Sequence, residues 1–168
     1  MSRPVLFEGT ATVLGDDVDT DIIFPARYLA VLRPEDQAKH LFEPLGEPLR
    51  QQVMAGGVIA AGWNFGCGSS REHAVTAMLG AGVRLVIAKS FSRIFFRNAV
   101  NNGLAVVMHE ELAGAVRMGD RVQVDLRAGN ARVADVEHRF PPLPAQVMEI
   151  LAVGGLWAAK TGQAKADA

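Results

Sequence analysis

Apolar positions along this chain fall into two rhythms. Val58-Ile59-Ala60-Ala61, Leu85-Val86-Ile87-Ala88 and Leu104-Ala105-Val106-Val107-Met108 are short unbroken runs, which is how strands buried on both faces read. Between them, Ala74, Val75, Ala77, Met78 and Ala81 lie on one face at helical spacing, and the stretch carrying Ile94, Phe95, Asn98 and Val100 reads as a second helix. Gly80-Ala81-Gly82 ends the first helix; Ser90 or Ser92 caps the second and Gly103 terminates it. The alternation predicts a βαβαβ unit of neighbouring parallel strands joined by right-handed crossovers. Ligands in such sheets collect at the carboxyl ends of the strands.

The flanking segments extend this core. Val5 to Leu14 has a strand-like pattern around Gly9, and Phe24 to Leu32 reads as a strand exit followed by an exposed loop, Arg27-Tyr28-Leu29-Ala30-Val31. Pro34-Glu35-Asp36 starts a short helix through about Phe42, since proline suits a first helical turn. Residues 43–56, with Pro44, Gly46 and Pro48, read as a loop with at most a turn of helix. Beyond Glu110 come a short helix and a surface hairpin, in which Val122, Val124 and Leu126 alternate with polar residues, Ala128-Gly129-Asn130 turns and Val133 returns. Pro141-Pro142-Leu143-Pro144 leads to a helix that stops at Gly154-Gly155, and the tail after Lys160 is expected to fray. No internal repeat or second domain is visible, so residues 1–168 are read as one domain.

The stretch with candidate chemistry is Asn64-Phe65-Gly66-Cys67-Gly68-Ser69-Ser70-Arg71-Glu72-His73, between the first strand and its helix. Ser69 or Ser70 is expected at the N-cap, and the glycines let backbone N–H groups approach a ligand where the helix dipole favours negative charge. Arg71 adds a planar fork suited to a carboxylate or phosphate. A Walker loop needs a lysine after the glycines, the dinucleotide fingerprint needs glycine where Arg71 stands, and a nucleophile elbow needs glycines two residues to either side of a serine. None of these is present. The alternative without chemistry is a capped helix start whose glycines only relieve crowding. Upstream, Asp17, Asp19 and Asp21 alternate as in a calcium loop, but Ile22 stands where glycine is required and Tyr28 where glutamate is required. A solvated turn serves for Asp16 and Asp17.

Composition narrows the classes. With 168 residues, 49% of them hydrophobic, the chain can build an ordinary core, and its net charge of −1 lacks a nucleic-acid footprint. No apolar run has membrane-spanning length and no signal-peptide pattern opens the chain, so a soluble, cytoplasmic protein without membrane or nucleic-acid partners is expected. The single cysteine, Cys67, permits no internal disulfide, iron-sulfur cluster or zinc-thiolate site. It reads as a small buried thiol or, alternatively, a nucleophile. His40, His109 and His138 have no metal-ligand spacing and read as structural or solvated.

Gly66-Cys67-Gly68-Ser69-Ser70-Arg71-Glu72-His73, followed by Ala88-Lys89-Ser90-Phe91-Ser92-Arg93-Ile94-Phe95 and Arg97-Asn98, resembles the mobile swivel domain of the aconitase superfamily. Gly15 to Ile23, Pro25-Ala26-Arg27-Tyr28-Leu29 and Ile150 to Leu156 match as well. The free-standing form of that domain is the small subunit of 3-isopropylmalate dehydratases. The resemblance implies an α/β fold, a swivelling β/β/α domain with a βαβαβ parallel core and an added antiparallel hairpin. It also implies a hydro-lyase that exchanges 2-isopropylmalate and 3-isopropylmalate through the alkene, in leucine biosynthesis. Ser69 would be the catalytic base, with Ser70 and Arg71 on the substrate and Arg27 as a second anion ligand. Thr20, Asp21, Gly66 and Gly68 would support them; Lys89, Ser90, Arg93 and Asn98 match the pattern in supporting roles. Tyr28, Leu29, Ala30 and Val31 would form the loop that reads the substrate's distal group. Relatives accepting a charged distal carboxylate place arginine after Tyr-Leu; Ala30 and Val31 are aliphatic, which speaks against homoaconitase and leaves the methylated-malate dehydratases open. This chain would bind no cofactor. A 4Fe-4S cluster would reside on a separate large subunit, in a heterodimer or heterotetramer. The contrasting possibility is an anion-binding module without catalysis.

Overall fold

The three apolar runs become adjacent parallel strands because each has a second apolar layer to face on either side. The computed structural model describes residues 5–162. In chain order the elements are β1 (Leu6–Val13), α1 (Thr20–Ile23), α2 (Pro34–Gln37), α3 (Glu47–Gly56), β2 (Gly57–Ala61), α4 (Glu72–Gly80), β3 (Leu85–Ala88), α5 (Arg93–Asn102), β4 (Ala105–Met108), α6 (Glu110–Ala115), β5 (Arg121–Asp125), β6 (Asn130–Val133), β7 (Val136–Arg139), α7 (Ala145–Val153) and α8 (Leu156–Thr161). They build one seven-stranded sheet in the order β4-β3-β2-β1-β5-β6-β7. The β1–β2, β2–β3 and β3–β4 pairs are parallel; β1–β5, β5–β6 and β6–β7 are antiparallel.

Alternation along the strands feeds two cores. Ile59, Ala61, Val86, Ala88 and Val106 pack with Phe24, Phe42 and the apolar faces of α3, α4 and α5. Val58, Ala60, Leu85, Ile87, Ala105 and Val107 face the other way, against Leu112 of α6, Leu151 of α7 and the inner residues of β5 and β6. Among the described residues no helix is long and apolar enough to cross a membrane.

Four local expectations are revised. Residues 43–56 hold a 3-10 turn at Glu43–Leu45 and the ten-residue helix α3. Pro48, read as a breaker, sits in the first turn of α3, where its missing N–H costs nothing. The surface hairpin is a three-stranded meander that continues the main sheet: β5 pairs with β1 and buries Val122 and Val124. Its last strand, Val136–Arg139, is mostly exposed and so carries no apolar signature. The segment entering Phe24 is not a strand but the short helix α1, capped by Asp19, whose carboxylate accepts the Ile22 N–H at 2.8 Å. After Gly154-Gly155 the chain forms α8 to Thr161; the rest of the expected frayed tail, residues 163–168, lies outside the described residues.

Ile87 is fully buried in the second core. Ile87→Ala is expected to lower unfolding free energy by about 2–5 kcal/mol in urea titrations, through lost transfer energy and the cavity left behind.

Candidate active site

The glycine-rich loop leaves the carboxyl end of β2 and is held from both sides by the loops that leave β1 and β3. On the β1 side, Gly66 N–H donates to the Val18 carbonyl at 2.8 Å and Thr20 N–H to the Cys67 carbonyl at 2.9 Å. On the β3 side, Phe65 N–H donates to the Ser90 carbonyl and Ser92 N–H to the Phe65 carbonyl, both at 3.0 Å. Side chains complete the attachment. Ser90 Oγ accepts the Asn64 N–H at 2.8 Å, and Ser92 Oγ donates to the Gly66 carbonyl at 2.8 Å while capping α5. Asp16 accepts the Trp63 N–H at 2.8 Å and Asp17 accepts from the Asn64 side chain at 3.0 Å. The acidic turn is therefore exposed but not simply solvated, because its carboxylates fasten the loop.

Gly66 adopts φ +78, and a Cβ there would lie 2.2 Å from Phe95 Cγ. Only glycine lets the loop lie against α5 at this point. Gly68, at φ +95, approaches Thr20, whose Oγ1 would stand 3.3 Å from an added Cβ.

Neither Ser69 nor Ser70 is the N-cap of α4. Arg71 holds that position in extended conformation, with no side-chain cap. Arg71 is itself extended and the helix begins only at Glu72, so both hydroxyls precede it by too much to cap it. Both serines are exposed, and neither their hydroxyls nor their backbone N–H groups have a partner among the described residues. Free donors thus gather at the start of α4, beside the carboxyl ends of parallel strands, an arrangement that favours an anion.

Arg71 is aimed by its surroundings. Its side chain is only 13% exposed, and its guanidinium donates to Asp21 and, at 3.4 Å, to the Phe24 carbonyl. The hydrogen bond from Arg71 holds the Asp21 carboxyl below the usual aspartate range. His73 stacks on Phe24, with centroids 5.6 Å apart and planes at 18°. Cys67 is half-buried. Burial, and behind it the charges of Asp19 and Asp17, push its thiol up, which favours the protonated form and not a nucleophile.

The loop 27–31 is linked to this centre through Phe24, whose ring lies 6.3 Å from that of Tyr28. Leu29 and Ala30 are exposed and Val31 half-buried. Two residues that the sequence reading passed over hold the loop. Gln37, 3% exposed, donates to the carbonyls of Val31 at 2.9 Å and Leu32 at 3.3 Å, and accepts from Thr76 of α4 at 2.5 Å. Glu43 accepts the Tyr28 hydroxyl at 2.7 Å and pairs with Arg27, whose guanidinium lies 4.8 Å from the Tyr28 ring centroid. A buried glutamine in a short polar helix has no periodic signal, and a contact sixteen residues away has none either. His40 stacks on Tyr28 at 3.6 Å and His109 caps α6 through Nδ1 at 3.2 Å. Lys89 Nζ stands 5.7 Å from the Trp63 ring centroid, while Arg93 and Asn98 lie on α5.

Sheet order, donor-rich loop and paired arginine define a domain of the aconitase swivel class. The family model described as the aconitase C-terminal domain matches residues 18–111. The 3-isopropylmalate dehydratase small subunit of Caldicellulosiruptor saccharolyticus is 44% identical over 166 residues, covering 98% of this chain and 96% of that protein. Small subunit 1 of the same enzyme from Methanopyrus kandleri is 46% identical over 153 residues, covering 90% of each. The crystal structure of 3-isopropylmalate dehydratase from Methanocaldococcus jannaschii superposes with a TM-score of 0.87 at 40% identity, covering 94% of each chain. The chain belongs to the family of 3-isopropylmalate dehydratase small subunits.

Two outcomes check this geometry. Gly66→Ala is expected to cost about 2 kcal/mol or more in urea unfolding, since it adds left-handed strain to a clash with Phe95. Asp21 has a lowered pKa, so the small stabilisation from its pairing is complete above the ordinary aspartate value and is lost as pH falls through the lowered one. Asp21→Asn should therefore flatten the stability profile below about pH 4, measured by unfolding at a series of pH values.

Proposed function

We propose that this chain supplies the proton-handling half of 3-isopropylmalate dehydratase, a hydro-lyase interconverting 2-isopropylmalate and 3-isopropylmalate in leucine biosynthesis. The observation that carries the reading is an exposed serine pair with unpartnered donors beside a guanidinium that Asp21 already orients. The reaction removes a proton next to a carboxylate while a hydroxyl departs from the neighbouring carbon. Ser69 Oγ takes the proton. A serine hydroxyl deprotonates only in a site that stabilises its alkoxide, and the free N–H groups, the first turn of α4 and Arg71 provide such stabilisation. Arg71 and Ser70 hold a substrate carboxylate. Leu29, Ala30 and Val31 meet the distal alkyl group; Arg27, expected from the sequence as a second anion ligand, lies in the same loop but is already paired with Glu43. An aliphatic wall leaves a charged distal group unpaired, which disfavours a homoaconitase substrate. Smaller methylated malates fit the same wall and form the second reading.

The departing hydroxyl calls for a Lewis acid. A 4Fe-4S cluster takes several thiolates, and this chain has one cysteine; among the described residues no three His, Cys, Asp or Glu side chains converge on a metal position. The cluster does not fit this donor set. We assign it to the large subunit implied by the name of the relatives, whose surface would also close the exposed loop. A cytoplasmic heterodimer or heterotetramer is part of the same proposal.

Co-expression with the large subunit under anaerobic conditions, with turnover measured on 3-isopropylmalate and methylated malates, tests the division of labour; turnover by this chain alone would overturn it. In the assembled enzyme Ser69→Ala should retain substrate binding and lose roughly 10²–10⁴-fold in kcat. Unchanged turnover would favour a binding module. Arg71→Lys keeps the charge without the fork, and should weaken binding by roughly 1.5–3 kcal/mol, read as a rise in KM.

A further inference from the structure

Arg27 is the charged side chain within the loop that faces the distal group, and it is not free. Its guanidinium pairs with Glu43, and the same carboxylate accepts the Tyr28 hydroxyl at 2.7 Å. Tyr28 is packed between Arg27, 4.8 Å from its ring centroid, and His40, stacked at 3.6 Å with Nδ1 3.6 Å from Glu43. The turn that presents Glu43 is itself fixed. Phe42 is fully buried in a left-handed conformation, φ +53, and its N–H donates to the Ile23 carbonyl at 2.9 Å. Ile23 closes α1, whose Asp21 orients Arg71. One short helix thus fixes the counter-ions of both arginines.

We propose that Glu43 is a specificity-determining residue: by occupying Arg27 it leaves the loop with an aliphatic wall and no available cation, and so bars substrates with a distal carboxylate. The inference rests on the dehydratase reading above. The Tyr28 hydroxyl, and after it the Arg27 guanidinium, hold the Glu43 carboxyl below the usual range, so it is ionised at neutral pH. A distal carboxylate would have to displace this anion from Arg27 and approach it at close range, and like charges brought together without pairing are disfavoured. The absence of arginine after Tyr28-Leu29 is then half of the selectivity; the other half is the neutralisation of the arginine before them.

The test uses the enzyme assembled with its large subunit. The readout is kcat/KM for 3-isopropylmalate and for a malate whose isopropyl group is replaced by a carboxylate-bearing chain. Glu43→Gln keeps a hydrogen-bonding side chain and removes the charge, and should raise the ratio favouring the carboxylate-bearing substrate by about tenfold. The gain should vanish in the double variant Glu43→Gln, Arg27→Gln, which a merely structural role of Glu43 would not produce. Arg27→Gln alone leaves Glu43 uncompensated and should lower the ratio several-fold. That variant decides the matter should Glu43→Gln fail to fold. An unchanged ratio in these variants overturns the inference, as does an equal gain for both substrates, which would place Arg27 on the carboxylate they share. Wild-type enzyme that does not convert 3-isopropylmalate overturns the underlying dehydratase reading, a failure distinct from an unchanged ratio in an active enzyme.

Discussion

The site depends on one close approach, that of the Gly66 backbone to the Phe95 ring. With no room for a Cβ between them, the loop lies directly on α5. The turn from Asn64 to Cys67, closed by the Cys67 N–H on the Asn64 carbonyl at 3.2 Å, is bonded on one side to Val18 and Thr20 and on the other to Ser90 and Ser92. Backbone held on both sides has little freedom left. Ser69 and Ser70 consequently leave a rigid base and project from it unpaired, a more exact way to aim a hydroxyl than a free loop would provide. Ser92 joins the two elements, since its hydroxyl caps α5 and also donates to the Gly66 carbonyl.

Around this base, charge orients more than it stabilises. Pairs with an exposed partner, such as Arg71–Asp21 and Arg27–Glu43, add little to folding free energy because water screens them. Their effect is geometric. Asp21 keeps Arg71 near the free N–H groups at the start of α4, and Glu43 keeps Arg27 against Tyr28. Both counter-ions trace to the short segment Asp19–Phe24, and Phe24 packs between the two regions, touching His73 on one side and Tyr28 on the other. A displacement of that segment would misplace Arg71 and the 27–31 loop together. On the proposed division of labour the chain presents half a site, with Ser69 exposed and the Lewis acid assigned to the large subunit.

The parallel core was legible because its signals are local. Runs such as Leu85-Val86-Ile87-Ala88 are apolar throughout, as strands buried on both faces must be, and the helices between them carry an apolar stripe. The ordered string from Gly66 to His73 was specific enough to place the family. Where burial is one-sided or absent the signal failed. β7 is mostly exposed and has no alternation to read, α3 buries only Val53 completely and was masked by its proline, and the serines were put at a cap that the extended backbone of Arg71 rules out.

By itself, then, the sequence determined the strand and helix order of the core, the position of the glycine-rich loop and the presence of an arginine and two serines within it. Those follow from short-range periodicity and from residue types whose chemistry does not depend on neighbours. Only the tertiary structure decided that Asp16 and Asp17 fasten the loop, and that Gln37 and Glu43 hold the 27–31 loop. These contacts run from five residues apart, between Gln37 and Leu32, to 47 apart, between Asp16 and Trp63, and none follows helical or strand spacing, because each is set by how the packed elements meet and not by the order of the residues.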